Sequence, residues 1–117
     1  MVLSSRFLEL RLAVAMRHPF GIAITAFLTQ VEITACCAIG VVHRHILSGT
    51  GMFDDGHRIR TSDICRVERN GQYRVLITAS GSRYVVVTFK HPDGRKSFDE
   101  FLTVLTNGFY PTPRRLQ

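Results

Sequence analysis

The strongest constraint on the fold is a series of three apolar runs within residues 57–90, separated by Asn70-Gly71 and by Ser80-Gly81. Asn-Gly between two apolar runs is the strongest short-range signal of a β-hairpin, and the second break contains glycine as well. This stretch therefore predicts an antiparallel β-meander.

Two-residue turns at these breaks predict a strand register in which Val67 pairs with Arg74 and Ile77 pairs with Tyr84. On this register both sheet faces are apolar. One face carries Ile64, Tyr73, Val75, Ile77, Tyr84 and Val86, and the other carries Cys65, Val67, Leu76, Val85, Val87 and Phe89. Leaving five or six such side chains in water would forfeit on the order of 10 kcal/mol, so each face must be covered.

Two segments can supply the covers. Residues 97–105 predict an amphipathic helix in which Ser97 is the N-cap and Glu100 completes a capping box. Residues 6–16 predict a first helix of about three turns that ends before Pro19.

The segment 20–42 is about 23 residues long and carries one charge, Glu32. As a helix it would be long enough to cross a hydrocarbon core of about 30 Å. Two other interpretations remain open: a long core helix over residues 20–47, or a pair of strands whose turn is not visible in the sequence. We expect a soluble core in which Glu32 pairs with Arg or His from a neighbouring element. The alternative is a membrane-anchored accessory protein, with residues 20–42 as a spanning helix and a cytoplasmic β domain.

The predicted fold class is α+β, with an antiparallel three- to four-stranded β-meander covered by N-terminal helical segments and by a C-terminal amphipathic helix. The predicted parts are an apolar helical segment over residues 1–48, the meander plus helix over residues 52–108, and a basic tail over residues 109–117.

The cysteines bear on compartment and chemistry. Cys36, Cys37 and Cys65 form an odd set without the spacing of a disulfide framework, which favours a reducing, cytoplasmic compartment. Cys36 and Cys37 with His43 and His45 resemble a zinc set, but the usual C-x₂₋₄-C spacing is missing. Cys65 falls within a predicted strand, where thiols are normally inert. We therefore expect no metal, no cofactor and no enzymatic activity.

Arginine carries most of the net charge of +6 and gives the only functional indication. Clustered arginines suit a partner that offers phosphates or carboxylates. The predicted function is that of a small non-enzymatic binding or regulatory protein whose arginine-rich surface engages nucleic acid or an acidic protein. The candidate binding residues are Arg58, Arg60, Arg69, Arg74, Arg83, Arg95 and Lys96.

Self-association is a further expectation. Apolar residues make up 45% of the chain, and both predicted sheet faces are apolar. A symmetric homodimer, with the first helix at the two-fold axis, would cover the excess apolar surface.

Overall fold

The computed structural model describes residues 5–49, 51 and 53–107. Over these residues the chain is α+β, as predicted, with two helices and six strands. The helices are α1 (Ser5–Arg17) and α2 (Gly94–Thr106), and the strands are β1 (Ala26–Thr34), β2 (Cys37–His43), β3 (Arg58–Arg60), β4 (Ile64–Asn70), β5 (Tyr73–Thr78) and β6 (Arg83–Val86).

The six strands of the described chain form one mixed sheet in the order β3-β2-β1-β6-β5-β4. All neighbours are antiparallel apart from the central pair, in which β1 runs parallel to β6 and Ala26 lies opposite Tyr84. The predicted meander is present as β4, β5 and β6. The prediction of three to four strands, all antiparallel, is inexact because β1, β2 and β3 extend the same sheet.

Residues 20–47 do not form the long core helix, and the predicted spanning helix over residues 20–42 is wrong as well. Most of this segment is the β1–β2 hairpin, so the strand-pair interpretation is correct. Its two turn residues, Ala35 and Cys36, have φ of 49° and 70°. These left-handed values belong to a type I′ turn, which is normally built from Asn or Gly, so the sequence carries no turn signal here. No helix within the described ranges is long and apolar enough to cross a bilayer.

A bulge interrupts β1 where its register against β2 shifts between Thr29 and Glu32. Within it, Gln30 has φ of 54°, which is uncommon for a residue with a side chain. Within the same interval, Val31 forms a parallel bridge with Phe89. This bridge keeps the register of the β1–β6 pairs, so the bulge interrupts the pairing of β1 with β2 and not its pairing with the chain after β6.

The β4–β5 turn differs from the predicted one. Asn70 pairs with Tyr73, so Gly71, at φ of 63°, is the first of two loop residues. Val67 lies opposite Leu76, two positions from its predicted partner, which keeps it on the predicted face.

The side chain of Asn70 binds outside the turn. Its Nδ2 donates to the Phe20 carbonyl at 2.9 Å, and its Oδ1 lies 3.0 Å from His18 Nε2. The ring of His18 sits directly against Gly71, where no larger residue would fit.

A second bulge in β4 corrects two further assignments. The β4–β5 register shifts between Ile64 and Arg66. As a result, Ile64 packs with Leu76 instead of Tyr73, and Cys65 is exposed.

The β5–β6 register is shifted by one residue from the predicted one. Tyr84 lies opposite Leu76 instead of Ile77, because residues 79–81 form a three-residue loop closed by a hydrogen bond from Thr78 N to Ser82 O at 3.0 Å. A one-residue slip moves every side chain to the other face, so Tyr84 and Val86 exchange faces with Val85 and Val87.

Both faces of the sheet are covered, as predicted. The α2 side is a cluster of buried residues that includes Leu28, Val31, Leu76, Tyr84, Val86, Phe98 and Phe101. The α1 side is a smaller cluster of Ala15, Tyr73, Val75, Val85 and Val87, with Leu12 and Phe20 packed against it.

Helix α1 agrees with its prediction, whereas α2 begins one turn earlier than predicted. Asp93 is its N-cap residue and makes no side-chain capping bond, and Asn107 is its C-cap. Ser97 is therefore inside the helix and is not its N-cap. Residues 108–117, which include the predicted basic tail, lie outside the described residues.

Candidate anion-binding cleft

A cleft of about 400 Å³ lies where β5 and the chain after β6 separate. The last pair between these strands is Arg74 with Val86. From Val87 onwards the chain bonds to β1, with Val87 N donating to Leu28 O at 2.8 Å. β5 begins at Tyr73, directly after the turn, so it offers this segment no further partner strand. The cleft lies at this end of the sheet, and residues of α1 and α2 help to line it.

Arginines from four elements line this cleft: Arg11 of α1, Arg69 of β4, Arg74 of β5 and Arg95 of α2. Arg69 and Arg74 lie directly opposite each other on neighbouring strands. Like charges in that position destabilise a sheet. Their pairing therefore does not stabilise the hairpin.

Each of three guanidinium groups lies over a phenylalanine ring. The Cζ of Arg11 is 5.7 Å from the Phe7 ring centroid, and that of Arg95 is 5.3 Å from the Phe89 centroid. Arg74 is placed in the same way, 5.8 Å from the centroid of the buried Phe98 ring. These cation–π contacts hold the guanidinium planes in position and leave N–H groups for other partners.

Arg11 has a second anchor, because its Nη2 donates to the Val87 carbonyl at 3.2 Å. That carbonyl belongs to the segment that directly follows β6. The bond ties α1 to the wall of the cleft and fixes the Arg11 side chain at its rim.

The cleft is strongly positive, since no Asp or Glu is among its described lining residues. Among the described residues, Asp99 is the acidic side chain that forms an ion pair with a cleft arginine. It lies 3.7 Å from Arg95, and both side chains are largely exposed. An ion pair of this kind contributes little. No ion pair within the described part of the chain involves Arg11, Arg69 or Arg74.

The structure brings together three of the seven predicted binding residues, Arg69, Arg74 and Arg95. It places the other four elsewhere. Arg58 and Arg60 are on β3 at the opposite edge of the sheet, Arg83 is at the far end of β6, and Lys96 is exposed on α2 outside the cleft lining.

Arg58 is also neutralised by Glu32, 2.8 Å away, and Lys90 lies 3.2 Å from the same carboxylate oxygen. The predicted pairing of Glu32 is thereby confirmed. The sequence prediction missed Arg11, which lies among apolar helix residues and has no local signal of a site.

The cysteine and histidine groups form no cluster of metal ligands among the described residues. Cys36 and Cys37 are buried, and Cys37 Sγ donates to Asp63 Oδ1 at 3.3 Å. Burial, with a smaller contribution from Asp63, raises the pKa of the Cys36 thiol. A raised pKa keeps Cys36 protonated and unreactive at neutral pH.

The two histidines of that group are held in separate contacts. His43 Nε2 lies 3.0 Å from Thr29 Oγ1, and the His45 ring stacks on Phe53 with centroids 4.0 Å apart. Burial lowers the pKa of both histidines, and Asp55 partly opposes this for His43.

No protein-family model, no curated protein and no solved structure matches this chain.

Proposed function

We propose that this protein is a small non-enzymatic binding module whose arginine cleft binds the phosphates of a single-stranded nucleic acid. One observation carries the proposal: Arg11, Arg69, Arg74 and Arg95 converge on a cleft whose described lining contains no acidic side chain. Guanidinium groups donate paired N–H bonds to phosphate oxygens, which makes arginine the preferred residue for such contacts.

The size of the cleft favours a single strand over a duplex. Its volume of about 400 Å³ is that of a small-ligand pocket, enough for a short piece of a flexible chain. A rigid duplex would have to reach arginines that come from both faces of the sheet at once.

The chemistry of the cleft favours phosphate over an acidic protein. Protein interfaces are usually anchored by large apolar side chains that enter pockets. Here the Phe89 and Phe98 rings lie beneath guanidinium groups, so the cleft offers charge and N–H donors in place of an open apolar pocket.

The test is fluorescence anisotropy with a labelled single strand, as DNA and as RNA, and with a matched duplex at several salt concentrations. For four phosphate contacts the logarithm of affinity should fall with the logarithm of salt concentration with a slope of about −3, or about −0.7 for each contact. Arg74→Ala and Arg69→Ala should each weaken binding and make that slope shallower.

Arg60→Ala is the matched control, because Arg60 is an exposed strand residue at the other edge of the sheet. It should bind as the parent does. Lack of binding at low salt, or an equal loss for Arg60→Ala and Arg69→Ala, would refute the proposal. Displacement by polyglutamate at the same charge concentration would assign the cleft to an acidic protein.

A further inference from the structure

The positive charge of the cleft is more concentrated than the negative charge of an internal stretch of nucleic acid. Four guanidinium groups line about 400 Å³. A single strand carries one negative charge per phosphodiester, with successive charges about 3.4 Å apart in a stacked strand. A terminal phosphate carries about 1.5 to 2 negative charges at pH 7 and presents three acceptor oxygens on one atom.

The arginines also approach from both sides of the sheet. Arg11 comes from α1 on one face, whereas Arg74 and Arg95 lie against the Phe98 and Phe89 rings on the α2 side. Donors that converge from opposite sides suit a group whose oxygens point in several directions. An internal phosphodiester, with two free oxygens, satisfies fewer of them.

The aromatic contacts support the same conclusion. The guanidinium groups of Arg11, Arg74 and Arg95 each lie over a ring, a contact that uses none of their N–H groups and leaves these for a ligand, apart from the Arg11 N–H that bonds to Val87. Such groups recognise phosphate oxygens and carry no information about the base.

We infer that the cleft binds the terminal phosphate of a single strand, so that the protein recognises a phosphorylated end and not the interior of the chain. This inference rests on the proposed function and specifies which part of the strand occupies the site. The same chemistry is present in a free nucleotide, and the experiment separates the two sources.

The experiment compares unlabelled oligonucleotides of one sequence as competitors for a labelled strand with the full-length protein. The oligonucleotides end in a 5′-hydroxyl, a 5′-monophosphate, a 5′-triphosphate or a 3′-phosphate, and a nucleoside triphosphate and inorganic triphosphate complete the set. A terminal phosphate should tighten binding at least tenfold over the hydroxyl end. Arg11→Ala and Arg74→Ala should abolish this gain, whereas Arg60→Ala should retain it.

The outcomes separate the inference from the proposed function. Equal affinity for hydroxyl and phosphate ends would overturn the inference and leave strand binding in place. Equally tight binding of the free nucleoside triphosphate and the triphosphate-ended strand would support terminal-phosphate recognition and overturn the strand as the ligand. Because Arg11→Ala also removes the bond to Val87, its thermal unfolding is measured in parallel, and Arg69→Ala, at an exposed position, serves as a second variant.

Discussion

The Ser97 hydroxyl of α2 accepts a hydrogen bond from the main-chain N–H of Ile33 in β1 at 2.9 Å, and donates one to the Gly94 carbonyl at 2.7 Å. Ile33 is buried, so Ser97→Ala leaves its N–H without this partner. We expect a loss of about 1 to 2 kcal/mol in the free energy of unfolding, measured by urea denaturation, despite the better helix propensity of Ala. Thr103→Ala, in the same helix but exposed, should change stability by less than about 0.5 kcal/mol. Equal stability of Ser97→Ala and the parent would contradict this role.

The β1–β2 turn should be open to improvement. Ala35 is exposed and has φ of 49°, a conformation that costs an ordinary residue roughly 1 to 2 kcal/mol and that Asn adopts more readily. Ala35→Asn should therefore raise the free energy of unfolding by about 0.5 to 1 kcal/mol. Ala35→Val should lower it, because a β-branched residue tolerates positive φ poorly. Thermal denaturation of both variants checks the prediction, and a change of the same sign in both would refute it.

Acid should destabilise the protein through His45. Its Nδ1 accepts a hydrogen bond from Leu47 N at 2.9 Å, and burial lowers its pKa from the ordinary 6.5. The unfolded chain therefore binds a proton more readily, and stability is lost as pH falls from about 6.5 towards the folded pKa. The slope for one such proton is at most about 1.4 kcal/mol per pH unit.

His45→Phe keeps a ring against Phe53 and removes the titrating group. Its unfolding free energy should depend less steeply on pH below 6.5 than that of the parent. His57→Gln, at an exposed position, is the control and should follow the parent curve. An unchanged slope in His45→Phe would mean that other groups cause the acid sensitivity.

The predicted homodimer can now be tested with two leucines on opposite sides of α1. Leu10 is 59% exposed, whereas Leu12 packs against the sheet cluster around Val75 and Val85. If α1 lies at a two-fold axis, Leu10→Glu should give a folded protein of half the parent mass by light scattering. Leu12→Glu should instead lower the unfolding free energy by more than about 2 kcal/mol, because it places a charge against the core. A parent that is monomeric at high micromolar concentration would exclude the dimer.

The sequence predicted the parts of the fold that have local signals. Apolar runs and glycine breaks identified β4, β5 and β6. The need to bury both sheet faces correctly predicted that another segment covers each face. The hairpin at Ala35 and Cys36 could not be predicted, because neither residue marks a turn. Its first strand is the centre of the sheet, and a strand buried on both faces loses the alternation that distinguishes it from a helix.

The candidate site was predicted in part for a similar reason. Arg69 and Arg74 are close in sequence and meet across one hairpin, so their proximity follows from the turn. Arg11 and Arg95 reach the same cleft from two helices that cover opposite faces of the sheet. No local pattern in the sequence reports this proximity, since it depends on how the two helices pack on the sheet.

The parallel pairing at the centre of the sheet has a consequence for how the protein folds. The β1–β2, β4–β5 and β5–β6 turns each close a loop of two or three residues, whereas the pairing of Ala26 with Tyr84 closes a loop that spans residues 26–84. The entropic cost of closure grows with loop length, so contacts of high sequence separation form slowly. We therefore expect the pairing of β1 with β6, which joins strands β1–β3 to strands β4–β6, to limit the folding rate. Arg11 bonds to Val87, whose N–H donates to Leu28 across this junction, so an intermediate that has formed the tight turns but not the junction would lack a complete arginine cleft.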